Sequence, residues 1–274
     1  LVTPDGHLFF SIGMDCVGSW RQTFVEQRGD WFAWLPEEEE EPFSQFYGKA
    51  SGAHSGADPI DGRGRTYRFY RANLLRKYGE DWSEQWRETT YKRLRAWGFN
   101  TIANWSQGDV LANSPMPYVV SAGVSGVRAV EGGTGYWAKM KDVYAAEFPE
   151  RVEKGLAGLA HHADTPLCIG YFVDNELAWE GVRSGVLNSP PDQPCRQVFV
   201  QRLQEAYGDL DTLNEAWNTD ADSWETLRTP ARPTVAARED LEAFLYDFAR
   251  RYFEEVKAAG RKYAPYQLYL GARF

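Results

Sequence analysis

Leu167-Cys168-Ile169-Gly170-Tyr171-Phe172-Val173, followed at once by Asp174-Asn175-Glu176, is the stretch on which the fold turns. An uninterrupted apolar run this short, closed by three polar side chains, reads as a buried strand. A strand that is apolar on both faces belongs to a parallel sheet covered by helices, because an antiparallel strand with one wet face would alternate.

Working outward, similar compact runs occur at 6–15, 99–105, 117–122 and 267–274, which makes five predicted strands. Between them lie helical patterns. Residues 81–97 set Trp82, Trp86, Tyr91, Leu94 and Trp97 at helical spacing, with Gly98 as a stop. Residues 149–163 place Val152, Leu156 and Leu159 on one face, and 195–207 and 239–263 are further helices, the last ending before Pro265. Residues 22–65 are irregular, with acids at 37–41 and a Gly-rich stretch at 48–56, and read as a long loop insertion. Alternating strands and helices predict an α/β fold, a (β/α)8 TIM-type barrel. A barrel of eight needs three more strand and helix units, so 1–274 is expected to be the N-terminal portion of a single catalytic barrel, truncated after about five strands. A doubly wound open sheet of five strands is the alternative topology.

Composition narrows the function. The 274 residues are 43% hydrophobic and 25% charged, which suits a folded, water-soluble protein with a sizeable core. Thirty Lys and Arg against 39 Asp and Glu give a net charge of −9, so no basic stripe exists to replace phosphate counterions and nucleic acid is not expected as a partner. No apolar run approaches the ~20 residues a membrane span requires, and the opening residues do not read as a signal peptide. Three cysteines, Cys16, Cys168 and Cys195, without a C-x-x-C pair argue against a disulfide framework and a structural zinc site. No cofactor or metal is expected, and the oligomeric state is open. Aromatic residues reach 15%, including 11 Trp, and such rings suit either sugar faces or an aromatic core.

The chemistry concentrates at the end of the 167–173 strand. In barrels the C-terminal ends of strands form the catalytic face. A carboxyl there, half surrounded by Tyr171, Phe172 and Trp179, is placed as a general acid, so Glu176 is the expected proton donor and Asn175 a hydrogen-bond donor to a substrate hydroxyl. The alternative is a helix cap with acids in the first turn. Other strand ends offer Asp15, and Asn104 with Trp105, as partners for sugar hydroxyls, against plain turn or core roles. Trp179 is a stacking platform or a packing residue, and His54 reaches over the barrel mouth or is an exposed loop residue. Gly133-Thr134-Gly135-Tyr136-Trp137-Ala138 fits a relaxed dinucleotide fingerprint, but two bulky aromatics sit in the turn and no good strand precedes it, so it is set aside. The adjacent pair His161-His162 lacks the spacing that grips zinc.

The 170–176 run resembles the acid/base segment of the retaining glycoside hydrolases of clan A, in which an Asn-Glu pair closes barrel strand four. Residues 93–106 are similar to the helix-one to strand-two segment of the β-agarases of glycoside hydrolase family 50. Leu210-Asp211-Thr212-Leu213-Asn214-Glu215-Ala216-Trp217-Asn218-Thr219, with Ser223-Trp224, resembles a Leu-Asn-x-Ala-Trp stretch of the family 42 β-galactosidases. The resemblance covers most of residues 5–274. It implies retaining hydrolysis of a β-galactosidic bond in an agarose-like galactan or galacto-oligosaccharide, with Glu176 as acid/base and a second carboxylate, ~5–5.5 Å away, as nucleophile. In the clan that nucleophile is a Glu ending strand seven. No residue here matches it, so it is expected beyond residue 274. A non-catalytic carbohydrate-binding barrel is the alternative, and polymer-degrading relatives imply secretion or a periplasmic location.

Overall fold

The computed structural model describes residues 1–3, 5–51 and 61–273. The chain divides into two compact units, 1–118 and 119–274. Five parallel strands follow the order β1-β5-β6-β7-β8, and the unit boundary falls inside β6. These are β1 (Gly13–Met14), β5 (Thr101–Ile102), β6 (Tyr118–Ala122), β7 (Cys168–Asn175) and β8 (Leu268–Arg273). Each lies within one of the five runs that the sequence marks as strands, with β7 running on to Asn175. The mixed α/β class with a parallel sheet therefore stands.

In the first unit, β1 is much shorter than the 6–15 run. Leu8 and Phe10 are 90% and 82% exposed, and only Gly13 and Met14 pair with β5. Apolar composition alone misled there, because neither side chain finds a packing partner that buries it. A larger difference concerns 22–65. Residues 52–60 of that range lie outside the described residues; the rest contains an antiparallel sheet of β2 (Thr23–Phe24), β3 (Tyr47–Ala50) and β4 (Gly64–Tyr67), in the order β2-β4-β3. Its core is aromatic. Fully buried Tyr67 meets Tyr47, Phe69, Trp34 and Phe46 at ring distances of 4.7, 4.8, 6.1 and 6.5 Å. These rings come from scattered positions, so no local periodicity announces the sheet. α1 (Phe69–Tyr78) and α2 (Trp82–Ala96) follow, the second matching the predicted 81–97 helix, with Gly98 at φ +86° just beyond it. α3 is the short helix Gly108–Ala112.

In the second unit, α4 (Phe148–Leu156) continues as a 3-10 turn through His162, so the predicted 149–163 helix tightens at its end. α5 (Trp179–Gly185), α6 (Pro194–Tyr207), α7 (Leu210–Trp217) and α8 (Val235–Tyr263) follow β7. Side-chain caps set two of the starts: Asp209 accepts the Thr212 N–H, and Thr234 accepts the Ala237 N–H. Buried Leu241, Phe244, Phe248, Tyr252 and Val256 form one stripe of α8, at the spacing that keeps side chains on one helical face. Phe244 packs on Phe199 of α6 at 4.6 Å. Arg196, 1% exposed, donates to the carbonyls of Leu187, Ser189, Trp224, Glu225 and Leu227, which ties α6 to the segments on either side of it.

Candidate functional site

The end of β7 departs from regular strand geometry. Its pairing with β8 shifts register between Tyr171 and Phe172 and again between Phe172 and Asn175. Asp174 and Glu176 both take left-handed backbone, φ +61° and +43°, on either side of Asn175. Bulges re-aim side chains, and left-handed non-glycine residues persist only where their surroundings hold them. Here the holding is visible. The Glu176 N–H donates to the Arg273 carbonyl of β8 at 2.8 Å. The helix after β7 starts at Trp179, with Ala178 as its cap residue, so the polar triplet does not serve as a helix cap.

Beneath the tip, the Asp174 side chain is 8% exposed and fully engaged. Oδ1 accepts the Val124 N–H at 3.0 Å, while Oδ2 accepts the Tyr252 hydroxyl at 2.7 Å and pairs with Lys141 Nζ at 3.1 Å. Burial, reinforced by the neighbouring Asp174 charge, raises the Tyr252 pKa, so the phenol stays a donor. Glu176 itself is exposed, and its Oε2 accepts the indole N–H of Trp137 at 2.5 Å. Asn175 Oδ1 is shielded from solvent and has no hydrogen-bond partner among the described residues. A shielded carbonyl without a donor costs about 1–3 kcal/mol, which a substrate hydroxyl donating to it would recover. The sequence expectation gave Asn175 the role of donor. Its acceptor is the atom left open.

Among the other expected residues, Asp15 and Asn104 come together: Asp15 Oδ1 accepts the Asn104 N–H at 2.9 Å, and the Cys16 N–H donates to the Asn104 carbonyl at 2.8 Å. The residues that follow them, Cys16 and Trp105, are also left-handed, φ +59° and +55°. Asp15 is exposed, Trp105 half-buried, and Asn104 only 3% exposed. Trp179 is packed on α8, with its ring 5.6 Å from Tyr252 edge-on and 5.7 Å from Phe253. His54 lies outside the described residues. Among the aromatics expected around Glu176, Tyr171 is buried against Tyr269 at 5.5 Å. The ring that reaches the carboxylate, Trp137, was missed, as were Lys141 and Tyr252. Only the paired aromatics inside a Gly-rich stretch signalled Trp137. Among the described residues, no group of three or more His, Cys, Asp and Glu is placed to hold a metal ion, and no helix is long and apolar enough to cross a membrane.

The comparisons with known proteins place the chain among the glycoside hydrolases. Residues 113–267 match the glycoside hydrolase 42 family, described as beta-galactosidase, and the chain belongs to that family. It is also 30% identical to beta-agarase B and 31% identical to beta-agarase A of Vibrio sp. (strain JT0107), each over the whole of this chain. The chain spans 32% and 30% of those relatives' lengths. A solved exo-beta-agarase is similar over all of this chain and 45% of its own, with 29% identity and a TM-score of 0.90.

Proposed function

We propose that this chain forms the acid/base portion of a retaining glycosidase acting on β-galactosidic bonds in agarose-like galactans or galacto-oligosaccharides, within a (β/α)8 barrel. Glu176 donates its proton to the glycosidic oxygen as the bond breaks, while a second carboxylate attacks the anomeric carbon. Glu176 then takes a proton from the water that releases the glycosyl-enzyme. Asn175 accepts a substrate hydroxyl, and Asp15, Asn104 and Trp105 supply further contacts to the sugar. Hydrolysis of a polysaccharide, which does not enter a cell intact, sets the working location outside the cytoplasm.

The observation that carries this reading is Glu176 itself: a solvent-facing carboxyl held at a distorted strand end by backbone and indole hydrogen bonds. In a galactan-hydrolysing polypeptide that carries this chain, Glu176→Gln is expected to lower kcat by about 10²–10⁴, the range of general acid–base catalysis. Release of reducing ends from agarose measures it. An unchanged rate removes Glu176 from the mechanism. Saccharide binding without any cleavage by the unaltered protein returns the non-catalytic, carbohydrate-binding alternative.

A further inference from the structure

The Gly-rich stretch that fails as a dinucleotide fingerprint builds a short arm beside the acid. The arm is closed at its neck, where the Val130 N–H donates to the Met140 carbonyl at 2.8 Å and Ala129 bridges Lys141. Lys141, in the neck itself, is the cation on Asp174, so the arm and the β7 tip share an anchor. The arm lies flush on α5. A Cβ on Gly133 would fall 2.5 Å from the Gly181 carbonyl oxygen, one on Gly181 would fall 2.1 Å from the Thr134 oxygen, and one on Gly185 would fall 2.3 Å from Gly133 Cα. Backbone approach this close admits only glycine on both sides and leaves the arm little freedom to slide.

At the tip of this fixed arm stand Tyr136 and Trp137, 75% and 54% exposed, edge to face at 4.8 Å. Large exposed rings lose water readily when a flat apolar face lies on them, and the C–H face of a pyranose is such a surface. The indole of Trp137 also donates to Glu176 Oε2. A carboxyl that accepts an N–H on one oxygen carries its proton on the other, which fixes the direction in which the proton is delivered.

We propose that Tyr136 and Trp137 form the platform that seats the sugar next to the bond Glu176 protonates, and that the Trp137 indole N–H orients the Glu176 carboxyl. This rests on the galactan-hydrolase reading above. Both rings are exposed, so Tyr136→Ala, Trp137→Ala and Trp137→Phe retain the fold, which circular dichroism checks.

The first test is calorimetric titration of a β-galactosidic agaro-tetrasaccharide into the chain carrying Glu176→Gln, which slows turnover enough to read binding. Adding Trp137→Ala is expected to weaken binding roughly tenfold and Tyr136→Ala about fivefold, as loss of one ring contact implies, while Trp137→Phe stays within about threefold. Equal affinity in all variants overturns the platform and leaves the substrate class standing. No binding by the parent overturns the substrate class, and the platform with it. The second test is kinetic, in a galactan-hydrolysing polypeptide that carries this chain. Trp137→Phe is expected to lower kcat on the oligosaccharide about tenfold with KM little changed, and to spare an aryl galactoside whose leaving group needs no proton. Equal losses on both substrates overturn the orienting role.

Discussion

Asp174 is held by more partners than the glutamate it supports. Its two oxygens satisfy a backbone N–H, a buried phenol and an ammonium, and its φ of +61° is one that Asp and Asn tolerate better than other non-glycine residues. Asp174→Ala is therefore expected to cost about 3 kcal/mol in urea unfolding, because it strands Lys141, Tyr252 and the Val124 N–H and adds backbone strain. Asp174→Asn keeps an acceptor and the tolerated backbone, and is expected to lose markedly less. Equal losses in the two variants would show that the retained acceptor and the backbone tolerance contribute nothing and that the carboxylate charge alone carries the effect. The importance of Asp174 is invisible in sequence, where it is one acid among three polar residues. Its partners lie at 124, 141 and 252, and only the fold brings them to one place.

At the scale of elements, β7 and α8 were the most legible, and for a physical reason. A run apolar on both faces and a long stripe at helical spacing are each determined by local pattern. The 22–65 sheet and the arm at 131–139 were not, since one is assembled from scattered aromatics and the other from backbone approaches between glycines far apart in sequence. The Asn175-Glu176 pair was legible as a strand end, whereas its indole and lysine neighbours were not. The β7–α8 contact also sets a limit on substitution. A Cβ at Gly260 would fall 2.0 Å from the Tyr171 hydroxyl oxygen and 2.7 Å from the ring carbon that bears it. Gly260→Ala is expected to destabilise by about 1–3 kcal/mol, the ordinary cost of overpacking. Tyr171→Phe removes the nearest atom, so the double variant should recover part of that loss. A double-mutant cycle with a coupling below about 0.5 kcal/mol would mean that the helix shifts freely instead.

Across the whole molecule, tyrosine burial adds to the response to alkali that the buried, raised thiols of Cys168 and Cys195 begin. Burial pushes Tyr67 and Tyr91 up to about 12, and raises Tyr252 and Tyr269 as well. Tyr91 also donates to the Val110 carbonyl at 2.7 Å, and the Tyr269 hydroxyl is buried with no hydrogen-bond partner among the described residues. An unfolded tyrosine loses its proton near pH 10. Between about pH 10 and 12 the unfolded chain therefore holds fewer protons than the folded one, and stability falls as pH rises. Below pH 10 both states keep the proton and the stabilisation is complete. Each such tyrosine removes up to about 1.4 kcal/mol per pH unit inside that window, so four together would remove about 10 kcal/mol by pH 12, a loss comparable to the roughly 5–15 kcal/mol of a typical domain. Urea midpoints are expected to show no tyrosine-linked change from pH 7 to 9 and to drop steeply above 10. Tyr91→Phe lowers the midpoint at pH 8 through the lost hydrogen bond, yet makes the alkaline fall shallower by one tyrosine's share. Midpoints that hold to pH 11.5, or a Tyr91→Phe slope as steep as the parent's, would show that these phenols ionise as readily folded as unfolded.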